Sequence, residues 1–347
     1  MVSPRLSRAL QDGDIALEGS GRIGVFNPGA GADLSALPRT RLHLIERFRP
    51  DHDALRAQGF DVGHTPEGRY ATTIVRLPRA RALGQALIAE AVSQCDGDII
   101  VDGQKTDGVD AMLRACRARA NVDLSIARGH GKLFRFPARG AETQDWAARP
   151  SVVSGGYRTM PGVFSADGPD PGSQLLAEEI RGRLGGRVAD LGAGWGYLAA
   201  QILQDDGVAS LELVEADHIA LECARHNVTD PRARFHWADA TRFEADAPLD
   251  AVVMNPPFHQ SRNADPALGG AFIASAARNL APDGVLWMVA NRHLPYSAAL
   301  EAGFHDVTER LASSGFRVYR AARPRAQRGS AAPPPGGRRH PARSSRR

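Results

Sequence analysis

The chain has 347 residues, of which 43% are hydrophobic and 24% charged, and its formal net charge is +4. This composition is typical of a globular protein of about two domains, and it excludes wholesale disorder, a collagen-like repeat and a small disulfide-stapled scaffold. Residues 321–347 carry eight arginines and no acid, which leaves −4 on residues 1–320 and +8 on the end of the chain. The basic balance therefore belongs to the C-terminal tail and not to the body of the protein.

Cysteine usage and the first residues narrow the class further. Cys95, Cys116 and Cys223 are odd in number and far apart, so the sequence predicts neither a disulfide framework nor a metal site. The N-terminus lacks the apolar core of a secretion signal, and no run of 18 apolar residues occurs. We therefore expect a cytoplasmic protein with no membrane partner.

The first half of the chain predicts strands that alternate with helices. A short apolar strand over 22–26 leads into a glycine-rich turn, a second over 42–46 ends in glutamate, and a third covers 98–103. Apolar residues recur at helical spacing over 80–95 and 108–119. This alternation is typical of a mostly parallel sheet covered by helices.

The second half follows the same plan more clearly. The sequence predicts helices over 197–204, 218–226 and 269–280, and strands over 186–191, 211–215, 235–237, 250–254, 285–289 and 316–320. Each half has a glycine-rich turn, a strand that ends in glutamate, and an apolar strand that follows an aspartate, Asp98 or Asp250. We interpret the halves as a duplication with a degenerate first copy, and two unrelated α/β domains are the alternative.

Composition places the domain boundaries. Residues 140–160 are rich in small and polar side chains, which indicates a join between the halves. The end of the chain is rich in proline, glycine and arginine and is expected to be disordered. The predicted units are an N-terminal domain over 1–150, a catalytic domain over 151–322 and a tail over 323–347.

Asp190, Gly192, Gly194 and Gly196 alternate at the end of the strand over 186–191 and open a helix. Glycines let a ligand approach the backbone, and the helix N-terminus adds partial positive charge. The spacing is not G-x-G-x-x-G, and an acid at the strand end favours an amino-group ligand over a pyrophosphate. A structural tight turn is the alternative for the glycines alone.

Two more acids end the next two strands. Glu215 can accept hydrogen bonds from both hydroxyls of a ribose, and Asp239 is positioned to accept from an adenine amino group. For Asp239, a capping role before Thr241 is the alternative. Together with the glycine turn, these acids resemble the S-adenosylmethionine site of class I methyltransferases, which implies that cofactor.

Asn255, Pro256, Pro257 and Phe258 follow the strand over 250–254. They resemble the [N/D]-P-P-[F/Y/W] motif of enzymes that methylate a planar exocyclic nitrogen. Such a nitrogen is a poor nucleophile because its lone pair is delocalised. The Asn255 oxygen and a backbone carbonyl near Pro256 can accept its two hydrogens and direct the remaining electron density at a methyl donor. The prolines fix the backbone, and Phe258 can stack on the substrate.

Further segments, which follow one another in the order found in that family, resemble the C-type ribosomal RNA guanine-N2 methyltransferases of the small subunit and their large-subunit relative. These segments span most of residues 20–322 and are 77–80, 161–165, 170–176, 255–259, 290–296 and 316–321. The resemblance implies two tandem Rossmann-like class I methyltransferase domains, the first degenerate. It also implies transfer of a methyl group from S-adenosylmethionine to a guanine N2 of ribosomal RNA, with 16S RNA expected.

The resemblance assigns residue roles at two sites. Cofactor binding would fall to Asp190, Gly192, Gly194, Gly196, Glu215 and Asp239, and orientation of the guanine amino group to Asn255, Pro256, Pro257 and Phe258. For Phe164 the alternatives are a pocket wall and a core side chain. His259 is read as a loop or structural residue, because N-methylation needs no base before transfer.

Other functions stay open from the sequence. The enzyme alternatives are methylation of a large-subunit guanine N2, of adenine N6, or of the glutamine amide of a release factor. A non-catalytic RNA-binding protein is the alternative from another class. The expected partner is ribosomal RNA or a small-subunit assembly intermediate, reached at a flipped or unpaired base, and the protein is expected to be a monomer.

Overall fold

The computed structural model of the protein describes residues 5–17, 19–257, 266–312 and 315–325. Two seven-stranded sheets follow one another along the described chain, and helices cover both. A two-stranded ribbon of β8 (Ser151–Val152) and β9 (Arg158–Thr159) lies in the segment between them. The residues predicted as a C-terminal tail lie outside the described part from 326 onward.

The N-terminal sheet has the order β3-β2-β1-β4-β5-β7-β6, and six of its strands run in one direction while β7, between β5 and β6, runs antiparallel to them. The strands are β1 (Ile23–Phe26), β2 (Leu42–Ile45), β3 (Val62–Gly63), β4 (Tyr70–Arg76), β5 (Cys95–Gln104), β6 (Leu124–Arg128) and β7 (Gly131–Pro137). Its helices are α1 (Arg5–Gln11), α2 (Arg49–Ala57), α3 (Arg81–Ser93) and α4 (Val109–Arg117).

The C-terminal sheet has the order β12-β11-β10-β13-β14-β16-β15. The strands are β10 (Gly186–Leu191), β11 (Val208–Glu215), β12 (Ala233–Trp237), β13 (Leu249–Met254), β14 (Leu280–Asn291), β15 (Phe304–Ala312) and β16 (Phe316–Pro324). The helices are α5 (Pro171–Ile180), α6 (Tyr197–Ile202), α7 (His218–Asn227), α8 (Pro266–Asn279) and α9 (Ser297–Gly303). Within the described ranges, no helix is long and apolar enough to cross a membrane.

The two sheets share one topology, because β1 to β7 occupy the same positions as β10 to β16. This match confirms the interpretation of the halves as one arrangement used twice. The strand-to-strand correspondence inferred from Asp98 and Asp250 is wrong. The position of β13 is taken in the N-terminal sheet by β4, a strand that sequence patterning missed, whereas the strand containing Asp98 corresponds to β14. The last strand also extends to Pro324, two residues beyond the predicted domain end.

Two short segments, one from each domain, form a backbone contact between the domains, and we call them straps. The N-terminal strap (residues 46–49) follows β2, and the C-terminal strap (residues 215–218) spans the end of β11 and the start of α7. They run antiparallel, with Phe48 opposite Asp217. The fourth residue of each strap donates its amide hydrogen to the carbonyl of the second residue of the other, at 2.8 and 2.9 Å. Because equivalent positions pair with each other, the straps are related by a local two-fold axis.

The glutamate that opens each strap holds the glycine turn of its own domain. Glu46 accepts from the amides of Gly29 at 2.9 Å and Phe48 at 3.0 Å. Glu215 accepts from the amide of Gly194 at 2.7 Å and from the amide two residues further on at 2.8 Å. The duplication therefore extends to individual hydrogen bonds.

An aromatic cluster that contains His64 and His218 packs beside the straps, where the two domains meet. The His218 ring stacks on His64, with centroids 4.2 Å apart, and its edge meets Trp237 at 5.1 Å. Burial, reinforced by the nearby His64, lowers the pKa of His218. A histidine with a lowered pKa binds fewer protons in the folded state than in the unfolded state. It therefore adds stability above its unfolded pKa of about 6.5, and that stability is lost as the pH falls.

We expect His218→Gln to reduce this pH dependence. The difference in the free energy of unfolding between wild type and variant should shrink as the pH is lowered from about 7.5 to about 5.5. Urea unfolding at several pH values measures it, and His226→Gln, an exposed change on the same helix, is the control. A difference that grows on acidification would show that protonation of His218 stabilises the contact.

Candidate functional site

A cavity lies at the carboxyl edge of the C-terminal sheet, where β10, β11, β12 and β13 end. Ligands of open α/β sheets bind at this edge. The cavity has a volume of about 380 Å³, within the range of small-molecule sites. Its lining includes Phe48, Pro50, Phe164, Gly192, Gly194, Glu215, Ala216, Asp239, Ala240, Thr241, Asn255, Pro256, Pro257, Leu268 and Phe272. A smaller cavity of about 40 Å³ adjoins it at Phe164, Gly192, Gly194 and Asn255.

The glycine turn after β10 forms one wall of this cavity. Gly192 has φ +79° and Gly194 has φ +56°, conformations that L side chains rarely adopt. Gly196 has a different position, because it begins α6 and packs on α7. A Cβ added there would lie 3.0 Å from Val228, and Gly196 lines neither cavity. Two of the three predicted glycines thus line the cavity, and the third packs two helices together.

Asp190 lies beneath the turn, fully buried, and does not line the cavity. Neither carboxyl oxygen has a hydrogen-bond partner among the described residues that meets normal geometry. Burial, with a smaller contribution from the negative charge of Glu215, raises the pKa of Asp190 to about 8. An unpartnered buried carboxyl group is costly, so this group indicates a donor from outside the described part of the chain.

Glu215 ends β11 and lines the cavity. Each of its two oxygens accepts one backbone amide, as described above, and each keeps a further lone pair. Burial raises the pKa of Glu215 to about 7, although its backbone hydrogen bonds act in the opposite direction. The side chain is therefore held rigidly with acceptor capacity left over.

Asp239 has the capping role that the sequence left as the alternative, and its predicted contact with an adenine amino group stays a prediction. Its Oδ1 accepts from the amide of Thr241 at 2.9 Å and from the hydroxyl of Thr241 at 2.6 Å, so it caps the turn after β12. The residue also lines the cavity. The capping fixes the carboxylate at the cavity wall.

Asn255 follows β13. It is oriented by two residues at the start of α5, the N-cap Asp170 and Ser173 of the first turn. Its Nδ2 donates to Asp170 Oδ2 at 2.9 Å and to Ser173 Oγ at 2.8 Å. Its Oδ1 is buried and has no partner within the described ranges. Because a carboxylate can only accept, Asp170 fixes which end of the amide faces it. The Asn255 oxygen is left as a free acceptor beside the cavity.

Several functional positions were missed or lie out of reach. Asp170 and Ser173 belong to a segment that the sequence singled out, but no role was assigned to them. Phe164 is 61% exposed and lines both cavities, so the alternative of a core side chain is wrong. Pro256 and Pro257 line the larger cavity. Phe258 and His259 lie outside the described residues.

Comparisons with known proteins agree with this architecture. The family model described as methyltransferase small domain matches residues 156–320. Among curated relatives named ribosomal RNA small subunit methyltransferase C, one from Shewanella sp. (strain MR-4) is 29% identical over 267 residues, 73% of this chain and 77% of the relative. Another, from Cronobacter sakazakii, is 34% identical over 233 residues, 65% of this chain and 67% of the relative.

A solved structure covers both domains. The T. thermophilus 16S rRNA N2 G1207 methyltransferase, in complex with AdoMet and guanosine, has a TM-score of 0.75 over 92% of each chain, at 26% identity. The expected pair of tandem Rossmann-like domains is thereby confirmed. Given this match and the Cronobacter relative, the chain belongs to the ribosomal RNA small subunit methyltransferase C family.

Proposed function

We propose that the protein transfers a methyl group from S-adenosylmethionine to the exocyclic N2 amino group of a guanine in 16S ribosomal RNA. Curated relatives are named ribosomal RNA small subunit methyltransferase C, and the T. thermophilus 16S rRNA N2 G1207 methyltransferase was solved in complex with AdoMet and guanosine. The observation that carries the proposal is the free Asn255 oxygen, which is fixed by Asp170 and Ser173 at the edge of the cavity. A planar amino group needs such an acceptor to become nucleophilic.

The residues of the cavity fit S-adenosylmethionine. Asp190 is a buried carboxyl group for which the described residues supply no donor of normal geometry, and Glu215 is a fixed carboxylate with free lone pairs. Between them the glycine turn leaves space for a ligand close to the backbone. When bound, the cofactor supplies a methyl group on a positively charged sulfur. We assign direct contacts with the cofactor to Gly192, Gly194, Glu215 and Asp239, which line the cavity. Asp190 contributes its charge from beneath the glycine turn, and Gly196 supports that turn.

The substrate side depends on Asn255 and the prolines. The Asn255 oxygen accepts one N2 hydrogen of the guanine, which holds the amino group in place, increases the electron density on N2 and directs its lone pair at the methyl donor. Pro256 and Pro257 have no amide hydrogen and so offer no competing donor. The second N2 hydrogen leaves as a proton after the methyl group is transferred. We assign a stacking role to Phe258.

The remaining features are proposals of the same kind. The domains are divided near residue 150, and the C-terminal tail follows the last strand. The protein acts in the cytoplasm as a monomer, on free RNA or on a small-subunit assembly intermediate. The seven-stranded N-terminal sheet favours this function over methylation of a release factor. Release-factor methyltransferases are expected to have a small helical N-terminal domain in place of such a sheet.

Two measurements test the function. Calorimetry should detect S-adenosylmethionine binding by the wild-type chain. Mass spectrometry of ribosomal RNA, from a strain that lacks the protein and from its parent, should show one N2-methylguanine lost from 16S RNA. An unchanged modification pattern would overturn the RNA assignment, and absence of cofactor binding would overturn the enzyme assignment.

A further inference from the structure

An aromatic side chain from the N-terminal domain lines the cavity of the catalytic domain. Among the described residues, large apolar side chains with substantial exposure are few, and two of them, Phe48 and Phe164, line this cavity. Phe48 is 41% exposed and belongs to the N-terminal strap. Pro50 lines the cavity beside it. The catalytic domain alone would leave this part of the cavity open.

The backbone that carries Phe48 is held firmly. Its amide donates to the buried Glu46, and it pairs across the two-fold axis with Asp217. The neighbouring Arg49 packs its guanidinium over the Trp237 ring, 4.9 Å from the centroid, and donates to the Trp237 carbonyl at 3.3 Å. The backbone at Phe48 is thus fixed, and its ring remains partly exposed.

The position of Phe48 selects one part of the cofactor. The strap contacts the ends of β11 and β12, whereas Asn255 follows β13, on the other side of β10. Glu215 is assigned to the ribose, so the base would extend from it toward Asp239 and Ala216. Phe48 and Pro50 supply an apolar wall at that end, which suits a flat aromatic base.

We propose that Phe48 contacts the adenine ring of bound S-adenosylmethionine, so that the degenerate domain completes the cofactor pocket of the catalytic one. The proposal rests on the proposed function, since it presumes that the cavity binds this cofactor.

The same proposal explains a role for the hydrogen bonds of Glu46 in the N-terminal domain. The cavity beside Glu46 is only about 100 Å³ and is lined by Leu83, Pro161 and Gly162, which leaves too little room for a nucleoside. Glu46, without a ribose to hold, keeps its hydrogen bond to the amide of Phe48. The former cofactor residue of one domain thereby positions a binding residue of the other.

Calorimetry on full-length variants tests the contact, with S-adenosylhomocysteine and adenosine as probes. Phe48→Ala should raise the Kd of both probes by about 10-fold, because loss of a ring stacked on a base has an effect of this order. Phe48→Leu keeps apolar volume and should weaken both probes less. Phe48→Tyr keeps the ring and should retain wild-type affinity. Phe60→Ala, which removes an N-terminal ring that packs against Arg39 away from the cavity, should change neither Kd.

The outcomes separate the two proposals. Tight binding by both wild type and Phe48→Ala would overturn the adenine contact and leave the proposed function intact. A weaker S-adenosylhomocysteine complex with unchanged adenosine affinity, or failure of Phe48→Tyr to restore binding, would also overturn it, because each indicates a structural role. Absence of binding by the wild type would overturn both proposals.

Discussion

Asn255→Ala is expected to lower kcat for guanine methylation by about 10²- to 10³-fold, the usual cost of removing one preorganised polar contact to a transition state. The reason is that Asn255 Oδ1 is the free, buried acceptor beside the cavity, and the reacting amino group becomes nucleophilic only when its hydrogens are held. The Kd for S-adenosylmethionine should change little, because the cofactor residues follow other strands. Single-turnover kinetics with a 16S RNA fragment, together with calorimetry, measures both quantities.

Ser173→Ala is the matched variant for this prediction. It removes one of the two acceptors of Asn255 Nδ2 and leaves Asp170 to hold the amide. We expect a smaller loss of kcat than for Asn255→Ala, with cofactor affinity again preserved. If Asn255→Ala weakened cofactor binding as much as it lowered kcat, Asn255 would be a cofactor residue and the methyl acceptor would be oriented by another group.

The core of the catalytic site could be predicted because its signals are local. Asp190, Glu215 and Asn255 each stand at the end of a strongly apolar strand, and the carboxyl ends of parallel strands meet at one edge of a sheet. Strand positions alone therefore brought Glu215 and Asn255 to one cavity and Asp190 beneath its glycine turn. The glycine turn added a second local signal, since positive φ angles favour glycine.

The residues that orient Asn255 could not be predicted in this way. Asp170 and Ser173 lie 85 and 82 positions before it, at the start of a helix that precedes the sheet. Their contact depends on how α5 packs against β14 and β16, which periodicity does not specify. Phe48 was even harder to predict from the sequence, because it reaches the cavity only through the two-fold contact between the domains. An exposed phenylalanine just after a strand and before a proline-containing helix was the available signal.

The missed strand β4 has a different cause. Thr72 and Thr73 lie at its centre and are 4% and 0% exposed, so the strand is buried without being strongly apolar. Threonine has high β propensity, but a pattern based on hydrophobicity underweights it. The omission shifted the inferred correspondence by one strand and wrongly matched Asp98 with Asp250.

Glu215→Gln is expected to raise the Kd for S-adenosylmethionine by about 10- to 100-fold, because hydrogen bonds to a charged group contribute about 1.5 to 3 kcal/mol. The variant loses the negative charge of the carboxylate, and it also loses one of the two acceptor oxygens. A glutamine has one acceptor oxygen in place of two, so it cannot accept from the amides of both Gly194 and Asp217 and also hold a ribose. Calorimetry measures the change, and Glu222→Gln, an exposed change on α7, is the control.

The pH dependence of the same complex has a definite sign. Burial raises the pKa of Glu215 to about 7 and that of Asp190 to about 8, so the ligand-free folded state binds protons that the unfolded state has released. Their contribution to the stability of the ligand-free protein is complete below the unfolded pKa values, about 4, and is lost as the pH rises through about 7 to 8. A ribose and a cationic ligand favour the ionised carboxylates, so cofactor affinity should rise over the same interval.

The increase in Tm caused by S-adenosylmethionine should therefore be larger at pH 8 than at pH 6. Glu215→Gln should weaken this trend without abolishing it, because Asp190 still titrates. A Tm increase that is equal at both pH values would mean that binding leaves the protonation of these carboxyls unchanged, which contradicts the prediction. A larger increase at pH 6 would mean that the ligand binds the protonated carboxyls. In that case Glu215 would donate a hydrogen bond to the ligand, and a ribose diol would no longer be its preferred partner.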